Sequence, residues 1–99
     1  MIKMASLKLL FKKENVNIIE LENELSKNEL LVNIVDYGTI NENSQIDYFY
    51  KEEMYNLYSY TVNYENNKYL FYEKVEILND KNGNIKHGNY KSIEIYQVV

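Results

Sequence analysis

The chain has 99 residues, 45% of them hydrophobic and 26% charged, with a net charge of −4 and no cysteine, proline or tryptophan. That is enough for one domain and too little for two, and the balance of apolar to charged residues excludes a disordered chain. Without cysteine there are no disulfides, no thiolate metal sites and no cysteine nucleophile, and no apolar run approaches the roughly 20 residues of a membrane-spanning helix.

Residues 1–99 are read as a single globular domain. The start, Met1 to Phe11, is apolar but interrupted by Lys3 and Lys8 and followed by Lys12-Lys13. It has no small-residue cleavage site, so it reads as a first strand and not a signal peptide. The expected compartment is the cytoplasm. Asn17 to Lys27 is the clearest helix: Ile18, Leu21 and Leu25 recur at i, i+3 and i+7. Asn17 with Glu20 makes a capping box, and Lys27 suits the negative C-terminal end. Leu30 to Tyr37 is a continuous Leu/Val/Ile run ending at Gly38, the pattern of a central strand buried on both faces.

Ile46 to Tyr50 is a weaker strand. The segment Asp47 to Asn56 fits neither period cleanly and has a short helix as its alternative. Met54 to Tyr64 alternates, with Tyr58, Tyr60, Val62 and Tyr64 on one side and Leu57, Ser59, Thr61 and Asn63 on the other. Glu65 to Lys68 reads as a tight turn into a strand from Tyr69 to Leu78, which has Phe71, Val75 and Ile77 on one face. Asn79 to Asn84 contains Asn82-Gly83, a turn signal that tolerates positive φ. Ser92 to Val99 closes the chain as a strand. The expected fold is α+β: one N-terminal helix packed on a curved, mainly antiparallel sheet of about five to six strands. A small β-barrel with a plugging helix is the alternative. The order of elements is similar in layout to cystatin-like domains.

Charge is unevenly spread. Residues 14–53 hold ten acids and two lysines, residues 1–13 hold four lysines and no acid, and residues 54–99 hold five of each. All 11 basic residues are lysines. The acidic stretch is either a solvated face or a surface that attracts a basic partner. Arginine, the usual fork for phosphate and guanine, is absent, which argues against direct nucleic-acid binding.

Eight of the 11 tyrosines fall between Tyr48 and Tyr72. They read either as half-buried strand residues, favoured by AT-rich codons, or as anchors of an interface. His87 is the sole histidine and has no partner at catalytic spacing. Asp80 to Asn84 begins like a calcium loop, but Ile85 stands where the glycine belongs and Lys91 where the terminal glutamate belongs. No cofactor, metal site or catalytic residue is expected.

The expectation for function is a non-enzymatic, intracellular protein-binding inhibitor of the anti-CRISPR-like, immunity or antitoxin type. Its partner would carry a basic nucleic-acid-binding surface. Neither nucleic acid nor membrane would be bound directly, and a homodimer fits the same features. Tyr58, Tyr60 and Tyr64 are the candidate anchors. Glu20, Glu24, Asp47, Glu52 and Glu53 are the candidate steering acids. The alternative is a small-ligand-binding domain with a tyrosine-lined cavity.

Overall fold

The computed structural model describes residues 6–50, 55–79 and 82–99, with backbone alone for residues 41–50, 79 and 85–87. Five strands and two helices follow one another as β1 (Leu7–Val16), α1 (Ile18–Ser26), α2 (Glu29–Tyr37), β2 (Thr39–Tyr50), β3 (Tyr55–Tyr64), β4 (Asn67–Asn79) and β5 (Ile85–Val98). The strands form one sheet in the order β1-β5-β4-β3-β2, with every neighbouring pair antiparallel. β1 and β2 are the two edges, so the sheet is open and the barrel alternative is set aside. The helical pair lies between these edge strands in sequence and carries the chain from one side of the sheet to the other.

The α+β class holds, with two helices where one was expected. The Leu30–Tyr37 run is not a strand; it forms most of α2. Asn28 explains the difference. Its side-chain oxygen accepts from the Leu31 amide at 3.2 Å, satisfying one of the donors a new helix leaves open. Burial then follows a helical spacing: Leu31 and Ile34 are each 1% exposed, while Leu30 and Val35 face outward. α1 has the expected box, with Asn17 Oδ1 accepting from the Glu20 amide and Asn17 Nδ2 donating to Glu20 Oε1, both at 2.8 Å. Leu21 is its buried residue, Leu25 packs against the core, and Ile18 is half exposed.

Glu65 and Asn66 form a two-residue turn with φ of 48° and 65°, the left-handed pair of a type I′ hairpin. This turn sets the register that places Tyr60 opposite Phe71 and Tyr58 opposite Glu73. The segment from Asp47 to Tyr50 continues β2 as strand, not helix. One face of the sheet meets the helices. Val62, Tyr69, Phe71, Ile93 and Ile95 contribute from the sheet to a core closed by Leu21, Leu31 and Ile34. In β1, Asn15 has φ 54° and breaks the pleat, and Val16 joins this core. Asn56, Val75 and Ile77 are buried beyond that cluster.

Candidate binding site on the helix-bearing face

Alternation in β3 and β4 puts Asn56, Tyr58, Tyr60 and Val62 on the core side, facing Val75, Glu73, Phe71 and Tyr69 across the ladder. On the other flank of β4, Ile93 stands opposite Glu73 and Tyr90 opposite Val75. Three phenols, an amide and a carboxyl therefore share a small area just past the helix-covered core. Tyr60 stacks on Phe71 with ring centroids 5.1 Å apart and an interplanar angle of 17°. Its hydroxyl donates to the Glu73 carboxylate. The Asn56 Nδ2 donates to the Tyr58 hydroxyl at 2.9 Å. Asn56 is only 5% exposed, and its Oδ1 has no hydrogen-bond partner.

Burial raises the Glu73 pKa above the ordinary carboxylate value, while the bond from Tyr60 works the other way. None of the ion pairs among the described residues involves Glu73. The Tyr60 phenol is pushed up by burial first and then by the nearby Glu73 charge. Tyr90 is raised by burial, then by Glu73, Tyr58 and Glu22 of α1. The cluster thus reaches from the sheet to the first helix. Groups perturbed together in this way mark sites of function more often than random surface.

The residues singled out from sequence fall into separate places. Tyr58 lies in the cluster, half-buried. Asp47 holds the β2 register position opposite Tyr58. Tyr60 is anchored in the core by Phe71. Tyr64 packs against the core at the hairpin end, its phenol raised by burial and then by Glu65. Glu20 and Glu24 line a wide polar groove of about 610 Å³ between β1 and α1, together with Lys13 and Lys27. Glu24 is bridged by Lys27 at 3.1 Å and Lys13 at 3.6 Å, which hold its carboxyl below the ordinary value, Lys27 most strongly. Glu52 and Glu53 lie outside the described residues, as does the side chain of His87.

Glu73, Asn56 and Tyr90 were missed by sequence reasoning. The signal was present: Glu73 stands in phase with Phe71, Val75 and Ile77, and Asn56 in phase with Tyr58. A polar residue at the inward phase of a strand is informative because burying it is costly.

The opposite face of the sheet carries no helix. Leu9, Tyr72 and Leu78 are 40–50% exposed there, and Tyr72 meets Tyr96 edge to face at 5.9 Å. A shallow groove of about 230 Å³ runs over Leu57, Ser59, Tyr72 and Lys74. Lys74 and Lys91 both sit over the Tyr55 ring, at 4.7 and 5.5 Å. On the helix side, a recess of about 120 Å³ between α2 and β3 is lined by Ile34, Val35, Ile40, Val62, Phe71 and Tyr60, and so is largely apolar.

Among the described residues, no three His, Cys, Asp or Glu side chains come together as a metal site, and no helix is long and apolar enough to cross a membrane. Comparison of the chain with protein-family models, curated proteins and solved structures found no match.

Proposed function

We propose that this chain is a non-enzymatic binding protein that blocks a partner carrying a basic, nucleic-acid-binding surface, and that it does so with its helix-bearing face. The observation that carries this reading is the gathering of acceptors and negative charge on that side. α1 and α2 contribute Glu20, Glu22, Glu24, Glu29 and Asp36 against the single Lys27 that follows α1. Beside them lie Glu73 and the phenols of Tyr58 and Tyr90. Such a field raises the encounter rate with a cationic surface and repels nucleic acid. Tyrosine supplies contact area with few rotors to freeze.

In this reading the contact and steering roles are shared between the sheet and the helices. Tyr60 stacks on Phe71 and Tyr64 packs against the core at the hairpin end, and in this reading the half-buried Tyr58 and Tyr90 supply phenol contact area beside the helices. Glu20, Glu22 and Glu29 steer from the helices, and Asp47, at the β2 register position opposite Tyr58, is a further candidate steering acid.

Calorimetric titration with hexalysine, hexaarginine and a single-stranded oligonucleotide, each at low and high salt, tests the reading. Both peptides are expected to bind, with affinity that falls as salt screens the field, and the oligonucleotide is expected not to bind. Oligonucleotide binding, or peptide affinity independent of salt, contradicts it.

A further inference from the structure

The sheet face turned away from the helices breaks the alternation expected of it. An antiparallel sheet with one solvated face carries polar residues at its outward positions. Here Leu7 stands opposite Val98, Leu9 opposite Tyr96, and Tyr96 opposite Leu70. Tyr72 joins them, its ring meeting Tyr96 edge to face at 5.9 Å. These six side chains make one apolar patch across β1, β5 and β4. Leu7, Leu9 and Tyr72 are 40–50% exposed, and the other three are half-buried with no helix over them. A contiguous apolar patch of this kind, rimmed by polar groups, marks an interaction surface.

We infer that this patch is the contact surface of a homodimer, in which two copies of the chain pack their helix-free sheet faces together about a two-fold axis. Area favours a second copy. Five strands about 4.8 Å apart, each of about ten residues rising about 3.3 Å, present a face of about 800 Å². That is what each partner of a standard-size interface buries. Charge favours it too. α1 and α2 carry five acids against Lys27, so copies with a net charge of −4 repel one another on that side. The bare face carries both signs. Lys12 bridges Glu94 at 3.4 Å and Glu14 at 3.5 Å, and Lys74 and Lys91 sit over the Tyr55 ring. These groups form a polar rim around the apolar centre. In the dimer each sheet is covered on both faces, and the two helix faces point away from each other. The inference stands independently of what the helix faces bind.

Sedimentation equilibrium over a wide concentration range tests it on wild type, Leu9→Lys, Tyr72→Lys and, as a control on the helix side, Val35→Lys. Circular dichroism checks that each variant folds. Wild type is expected to approach twice the 11.9 kDa chain mass. Either bare-face lysine is expected to weaken the dimer about tenfold or more, because it sets like charges against each other across the axis. Val35 is 54% exposed on α2, and its replacement is expected to leave the dimer unchanged. High salt is expected to preserve the dimer, since its centre is apolar. A monomer at every concentration overturns the inference and leaves the patch to an occupant of another kind. So does a dimer that both bare-face variants leave intact, or one that Val35→Lys or high salt dissociates. Should a bare-face variant not fold, isotope-filtered NMR on mixed labelled and unlabelled wild type decides. Contacts between copies at Leu9 and Tyr72 are expected, and contacts confined to other surfaces overturn it.

Discussion

A single carboxyl shows how the fold and the candidate site are linked. Glu73 sits at an inward position of β4, and burial favours its neutral form, so folding binds its proton more tightly than the unfolded chain does. Between the unfolded pKa and the raised folded pKa, the native state holds more protons, and stability falls as pH rises through that window. Below the unfolded value the effect vanishes, because both states are protonated. The titratable groups around it are Tyr60 on β3, Tyr90 on β5 and, through Tyr90, Tyr58 and Glu22 of α1. Asp47 holds the register position beyond Tyr58 on β2. On β1, Lys13 stands opposite Ile93 and pairs with Glu24. Glu73→Gln removes the titration. Its melting temperature is expected to exceed that of wild type at neutral pH and to lose the decline that wild type shows above the ordinary carboxylate pKa. Thermal melts of both proteins across that pH range check it, and parallel profiles would contradict the placement of Glu73. A cationic ligand acts the opposite way, since its charge favours the ionised carboxylate.

Among the elements, those set by local chemistry were legible and those set by tertiary context were not. The capping box of α1 and the alternating pattern of β3 are local, and the helix and the strand both formed as the spacing predicts. The Leu30–Tyr37 run is ambiguous by composition, because Leu-Leu-Val and Ile-Val suit a buried strand as well as a helix face. Asn28 and the close pairing of Leu31 with Ile34 decide for the helix. Gly38 then ends it, with its amide bonded to the Ile34 carbonyl at 2.9 Å. A Cβ at Gly38 would run into that carbonyl and into the Val62 side chain in the core. Gly38→Ala is therefore expected to destabilise by about 1–3 kcal/mol through crowding rather than backbone strain, since its φ of −70° is open to any residue. Chemical denaturation measures this, and an unchanged midpoint would mean that α2 packs on β3 less closely.

The whole molecule was the least legible scale. Pairing of β1 with β5 joins the two ends of the described chain, and a one-dimensional pattern does not encode that choice of neighbour. It makes β1 and β2 the edges and sends both helices across one face. The tyrosines are divided by that topology: Tyr58, Tyr60 and Tyr90 lie on the helix side, and Tyr72 and Tyr96 on the bare side. The acids of α1 and α2 thereby come to lie on the same side as Glu73, which is the arrangement the binding proposal needs. The most direct measurement is amide chemical-shift mapping of the wild-type protein during titration with hexaarginine. The account predicts that the largest shifts fall on α1 and α2 and on the neighbouring sheet positions Tyr58, Glu73 and Tyr90. Shifts centred on Tyr72, Tyr96 and Leu9 of the bare sheet face, or none at all, would contradict it.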